Sequence, residues 1–150
     1  MFYPLQTFSK NKNVDFKNIP VCIEANNEVN LQILEQLALE ITTKMYKISS
    51  EQRKALHVAA VFVSNFVNYL YTEGQEICTR NKIPFEILHP LILETASKII
   101  DLSPKDAQTG PAKRNDLAVI NSHLELLNEE EQEIYKILTE SIQNLHGKEL

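Results

Sequence analysis

Apolar positions along the chain alternate between short extended runs and a helical stretch up to residue 48, and are helically spaced after it. Ile19-Pro20-Val21-Cys22-Ile23-Glu24-Ala25 is compact and β-branched and is closed by Asn26-Asn27, which predicts a strand entering from a loop, with Pro20 placing its start near a sheet edge. Val29, Ile33, Leu34, Leu37, Ala38 and Ile41 then recur at helical intervals, and residues 44–48 return to an extended segment. The order is strand, helix, strand, with one further candidate strand within residues 2–8. A crossover of this kind feeds a parallel sheet, and two or three strands alone are marginal in water. Residues 1–48 are therefore expected to be the closing part of a larger α/β domain that begins before Met1.

From residue 49 the pattern is helical throughout. Ser49 followed by Gln52 matches a capping box, and an uninterrupted helix is expected from there to about Asn81. Leu56, Ala59, Val63, Phe66, Val67, Leu70 and Ile77 mark one face, and Ala60, Val61 and Phe62 carry apolar character around its middle. A helix apolar on nearly all sides is expected at the centre of its domain. Pro84 restarts the chain into Phe85, Leu88, Leu91, Ile92, Ala96 and Ile99, with Pro90 either kinking that helix or opening its main part. Ser103-Pro104 reads as the N-cap and first residue of a short turn. Beyond Gly110, Leu117, Ile120, Leu124 and Leu127 share a face, and Asn128 with Glu131 caps a last helix through Ile134, Ile137, Leu138 and Ile142. Glu129, Glu130, Glu131 and Glu133 lie where that helix dipole favours negative charge. The expected fold class is mainly α: a helical domain over 49–150, preceded by a small α/β remnant over 1–48.

Composition narrows the partners. The 150 residues are 43% hydrophobic and 23% charged, ordinary for a soluble chain that buries a core. A net charge of −5 gives no electrostatic footprint for nucleic acid or an anionic membrane. No apolar run approaches the roughly 20 residues of a membrane helix, and residues 1–13 lack the apolar core of a secretory signal. A cytoplasmic protein without nucleic-acid or membrane partners is expected. Cys22 and Cys78 match no paired spacing and read as two buried thiols. The closing Gly147-Lys-Glu-Leu150 lacks the acidic residue that an endoplasmic retention signal carries before Glu-Leu, and reads as a frayed end.

The candidate chemistry is sparse. With Gly74, Gly110 and Gly147 as its three glycines, the chain contains neither G-x-G-x-x-G nor a P-loop. His57, His89, His123 and His146 show no metal-ligand spacing, so no metal site is expected, and no G-x-S-x-G elbow occurs. What remains is a polar row on the long helix: His57, Ser64, Asn65 and Asn68, at offsets 0, 7, 8 and 11, share one face. Such groups either satisfy one another in a network tying helices together or line a wet cleft. The second candidate is Ala107-Gln-Thr-Gly-Pro-Ala-Lys-Arg-Asn-Asp116. Gly110 can adopt angles closed to other residues, Pro111 suits a first helical position, and Lys113 and Arg114 add charge near helix N–H groups. It reads as an anion-binding turn or as a plain helix start with solvated cations.

These residues also resemble a known family. His57-Val-Ala-Ala-Val-Phe-Val-Ser-Asn65, Pro90-Leu91 with Glu94-Thr95, Thr109-Gly110-Pro111-Ala-Lys-Arg114-Asn-Asp116 and His123-Leu124 look like the domain of unknown function 2520, which follows an N-terminal Rossmann domain. Tyr3-Pro4-Leu5-Gln6-Thr7-Phe8 is similar to the end of that Rossmann domain, so the resemblance covers essentially the whole chain. It implies a Rossmann-like NAD(P)-dependent oxidoreductase related in architecture to pyrroline-5-carboxylate reductase and 6-phosphogluconate dehydrogenase-like enzymes. It also implies a helical domain that forms a homodimer and closes over the nicotinamide. His57, Asn65, Thr109, Gly110, Pro111, Arg114 and Asp116 match the motif. Two departures stand out: Asn115 occupies a position commonly glycine, and Val61 stands where hydroxyacid dehydrogenases place a catalytic lysine four residues before the helix asparagine.

The resemblance thus gives His57 and Asn65 as catalytic candidates. Ser64, Asn68, Thr109, Gly110, Arg114 and Asp116 are the binding candidates for a small-molecule substrate, with Thr109 and Arg114 holding a carboxylate or a cofactor phosphate. NADP or NAD would serve the intact protein, and neither is expected to bind this chain tightly by itself. The alternative is a non-enzymatic dimerisation or small-molecule-binding module, which the missing lysine favours.

Overall fold

The computed structural model describes residues 1–147; of the frayed end expected at residues 147–150, residues 148–150 lie outside the described residues. The chain divides into two compact units, the first ending at Val67 and the second beginning at Asn68.

In the first unit, β1 (Phe2–Pro4), β2 (Val21–Ile23) and β3 (Met45–Lys47) form a sheet in the order β1-β2-β3. β2 pairs antiparallel with β1, Tyr3 opposite Cys22, and parallel with β3, Cys22 opposite Tyr46. The crossover between the parallel strands is α1 (Glu28–Ile41), whose N-cap Asn27 accepts from the Asn30 N–H at 2.8 Å. The helix ends where Thr42 turns extended; the buried Thr42 hydroxyl donates to the Ile19 carbonyl at 2.7 Å and accepts from the Lys44 N–H at 3.0 Å. That one side chain fixes the turn from α1 into β3. Pro20 does not mark an edge, because β2 is the central strand. Proline is tolerated there because it precedes the first paired residue, and its carbonyl accepts from the Leu5 N–H at 2.9 Å.

Val21, Ile23 and Ala38 form the core, with Phe2, Leu31, Leu34, Ile41 and Met45 packed against them. The apolar stripe of α1 is wider than the surface the sheet offers. Val29, Ile33 and Leu37, spaced by one turn, stay 67%, 57% and 47% exposed.

The long helix departs from expectation twice. Its start is as the sequence predicts: the Gln52 N–H donates to the Ser49 hydroxyl and the Ser49 N–H donates to the Gln52 amide oxygen. However, α2 (Ser50–Ala60) passes into a π-helical segment, Val61–Phe66, before α3 (Val67–Arg80). The expected burial of its middle is also not met, since Val58, Phe62 and Val63 are mostly exposed. Phe62 and Phe66 instead pack edge to face, ring centres 5.1 Å apart. The helix carries more apolar surface than its own unit covers.

In the second unit, Pro84 opens a 3-10 turn, Phe85–Leu88, and α4 (His89–Asp101) follows with Pro90 in its first turn, so Pro90 begins that helix without kinking it. Ser103 caps the short α5 (Pro104–Ala107), accepting from the Asp106 N–H at 3.2 Å. Pro111 is not the first residue of a helix. Residues 111–115 form successive turns, and α6 (Leu117–Leu124) starts with Asp116 as N-cap. The capping box Asn128/Glu131 opens α7 (Glu129–His146). Cys22 and Cys78 are buried free thiols, as expected, and burial pushes the Cys22 thiol up from its ordinary range. Among the described residues no helix is long and apolar enough to cross a membrane.

Candidate functional site

The chain leaving β1 faces the turn of helix where the π segment begins. Tyr3, Leu5, Gln6 and Thr7 on one side and Leu56, His57, Ala59, Ala60, Val63, Ser64 and Asn65 on the other line a cleft of about 440 Å³. That size lies within the range of small-molecule sites. Leu5, Leu56 and Val63 supply its larger apolar walls, and Tyr3, Gln6, Thr7, His57, Ser64 and Asn65 its polar groups. The Gln6 side-chain oxygen is already used, accepting from the Thr7 N–H at 2.8 Å.

Three members of the polar row therefore meet in one cleft. Among the described residues, none hydrogen-bonds the side chains of His57, Ser64 or Asn65, all of which are exposed. They do not form the mutually satisfied network that was one reading of the row. Ser64 and Asn65 stand inside the i→i+5 segment, a wider turn that shifts the phase of the residues following it. Asn68 does not line the cleft; it belongs to α3 in the second unit, where its carbonyl accepts from the Thr72 hydroxyl at 3.4 Å.

The other candidates sit together in a loop of the second unit. Gly110 has φ +104 and Asn115 φ +51, so the turn between them needs the left-handed region at both ends. Asparagine tolerates that region better than most residues, which explains how Asn115 serves where glycine is common. Buried Ala112 anchors the turn, the Asp116 N–H donates to the Pro111 carbonyl at 3.0 Å, and Gln143 of α7 donates to the Asn115 side-chain oxygen at 2.8 Å. Thr109 and Arg114 are exposed, and neither Lys113 nor Arg114 makes an ion pair among the described residues. Asp116 accepts from the Val119 N–H at 3.2 Å, so its own carboxylate occupies the start of α6. What the turn presents is therefore the two cations Lys113 and Arg114 and not free helix N–H groups.

Two arrangements escaped sequence reasoning. His123 Nδ1 lies 2.8 Å from the Tyr135 hydroxyl with the rings edge to face, joining α6 to α7. Glu73, Glu76 and Glu131 bring carboxylate oxygens within 4.8 Å of one another, but the Arg80 guanidinium holds both oxygens of Glu131. Tyr3, Gln6 and Thr7 also escape sequence reasoning as lining residues: Tyr3 lies within β1, and Gln6 and Thr7 follow shortly after it.

Comparison with known proteins fits this geometry to a family. The profile described as domain of unknown function (DUF2520) matches residues 19–142. The chain belongs to the DUF2520 family. Among solved structures, this DUF2520 chain is similar to BF3122 from Bacteroides fragilis, described as a "putative NADP oxidoreductase", with 46% identity and a TM-score of 0.90 over 95% of this chain and 56% of that one. It is also similar to protein TM1727 from Thermotoga maritima, with 26% identity and a TM-score of 0.77 over 99% of this chain and 61% of that one. The chain thus spans little more than half the length of these two relatives. No curated protein matches it. The mainly helical fold with its small three-stranded sheet agrees with the architecture expected from the resemblance.

Proposed function

We propose that this DUF2520 chain is the C-terminal part of an NAD(P)-dependent oxidoreductase, in which residues 1–48 complete the nucleotide-binding domain and residues 49–150 form a helical domain on the substrate side. The observation that carries this reading is the cleft in which His57, Ser64 and Asn65 present unpaired polar groups against apolar walls. Similarity to a structure named as an NADP oxidoreductase supports the class of reaction and favours NADP over NAD.

The residues present fit one end of such a cofactor. The cleft accepts a flat ring with a polar substituent, whereas three scattered glycines build no pyrophosphate cradle, so the phosphates fall to residues outside this chain. When bound, the nicotinamide supplies a hydride. The imidazole of His57 passes a proton to the substrate oxygen or nitrogen as that atom gains electron density, the Asn65 amide and Ser64 hydroxyl orient it, and the half-buried Leu5 and Leu56 limit the access of water. In the second unit, Thr109, Gly110 and Arg114 form a turn suited to an anionic group, with Asp116 holding its shape and Asn68 an outlying polar group.

Exposed Val58, Phe62, Val63 and Phe66 support a homodimer as the working form, since apolar surface of this extent is usually covered. Mass measurement in solution at micromolar concentration tests that part, and a monomer overturns it.

The main test is cofactor titration. The chain alone should bind NADPH weakly and turn nothing over; preceded by its nucleotide-binding domain, it should bind NADPH tightly and consume it with a carbonyl or imine substrate. Tight binding with turnover by the chain alone overturns the proposal.

A further inference from the structure

The charge of the cleft restricts what it can take. Among the described residues the eleven that line it include no Lys, Arg, Asp or Glu, and Tyr3 and His57 are the ionisable groups among them. Arg53, one turn before His57, does not line the cleft and forms no ion pair among the described residues; the neighbouring Glu24 carboxylate accepts from the Ser50 N–H at 2.8 Å and the Ser50 hydroxyl at 2.6 Å. A carboxylate or phosphate entering the cleft would give up part of its water without meeting a fixed cation among the lining residues, a net cost. An uncharged carbonyl or carboxamide meets the opposite situation. Ser64 Oγ–H and Asn65 Nδ2–H are donors with no partner among the described residues, and the hydrocarbon of Leu5, Leu56, Ala59, Ala60 and Val63 receives an apolar body.

We infer that the His57–Ser64–Asn65 cleft binds the uncharged, carbonyl-bearing end of its ligand and discriminates against carboxylates. This deepens the oxidoreductase reading, on which it rests for the ligand being a substrate, by naming the class of group that enters.

The test uses benzamide and benzoate, matched in size and different in charge, titrated separately into the isotope-labelled chain while the amide resonances of His57, Ser64 and Asn65 are followed. Benzamide should shift them saturably, and benzoate should bind at least about tenfold more weakly. Val63→Lys, at an exposed position 73% open to solvent, should reverse the order without disturbing the core. Equal or tighter binding of benzoate to the wild-type chain overturns the inference, and so does the absence of any shift at Ser64 and Asn65 with either compound. No NADPH is present in this experiment, so failure of the oxidoreductase reading shows separately, in the cofactor titration.

Discussion

Arg80 and Glu131 form a two-point ion pair, Nη2 donating to Oε2 at 2.8 Å and Nη1 lying 2.7 Å from Oε1, that ties the last turn of α3 to the first turn of α7. Glu131 is buried while Arg80 remains partly open to water, and Glu131 Oε2 also accepts from the Asn128 N–H at 2.9 Å. Removing the arginine leaves a buried carboxylate half satisfied, which is worse than removing both groups. Arg80→Ala should therefore lower the Tm by more than the double variant Arg80→Ala/Glu131→Gln does. Thermal melts of the three proteins decide it.

The same pair predicts a pH dependence. Hydrogen bonds from Arg80 and Asn128, with the guanidinium charge, hold the Glu131 carboxyl below its ordinary range. A depressed folded pKa contributes stability that is fully present above the unfolded value and is lost as pH falls through the folded one. Glu24 is shifted the same way, first by its hydrogen bonds to Ser50. Urea denaturation between pH 7 and pH 3 should show the wild type losing more stability than Glu131→Gln over the acid limb. Parallel curves would remove Glu131 from the account.

The loop carrying Thr109 and Arg114 depends on two left-handed residues. Gly110→Ala should destabilise by about 1–2 kcal/mol although open space surrounds the new methyl group, because φ +104 is strained for any L side chain. Asn115→Gly relieves strain at φ +51 but loses the hydrogen bond from Gln143, so it should fall within about 1 kcal/mol of wild type. Asn115→Ala loses the hydrogen bond and keeps a Cβ at a positive φ, so it should be the worse of the two, as chemical denaturation would show.

At the cleft, stability and binding should separate. Ser64 and Asn65 are exposed and unpaired among the described residues, so Ser64→Ala and Asn65→Ala should change folding stability by no more than about 0.5 kcal/mol. Each should nevertheless weaken benzamide binding several-fold. A large loss of stability would return these residues to a structural role.

The core makes the contrasting case. Ile23 is fully buried between β1 and β3, so Ile23→Ala should cost about 2–5 kcal/mol in equilibrium unfolding.

Local signals were legible in the sequence. Ser49/Gln52 and Asn128/Glu131 form the expected boxes, Ser103-Pro104 opens a short helix, and the strand-helix-strand order around α1 holds. Each rests on interactions within a few residues, which neighbouring residue types dictate. The position of β2 at the centre of its sheet was not legible, because strand order depends on pairing with residues some 20 positions away. Neither was the π segment: Val61-Phe62-Val63-Ser64-Asn65-Phe66 fits α periodicity as well as it fits a wider turn.

For the candidate site the division is similar. Composition picked out His57, Ser64, Asn65, Gly110 and Arg114 as unusual for their surroundings, and spacing put the first three on one helix face. Sequence alone could not show that Tyr3, Leu5, Gln6 and Thr7 form the opposing wall, since β1 must first pair with β2 to bring them there. It also misread Pro111 as a helix start, because Asp116 competes for the same role and wins by capping Val119. The sequence by itself determined which residue types were available, where the capping boxes open α2 and α7, and that Gly110 was free to take a positive φ. The tertiary structure decided which polar groups share a cleft, that no carboxylate or cation stands among them, and that the α6 N-terminus is already filled. Those are relations between distant segments, and only packing establishes them.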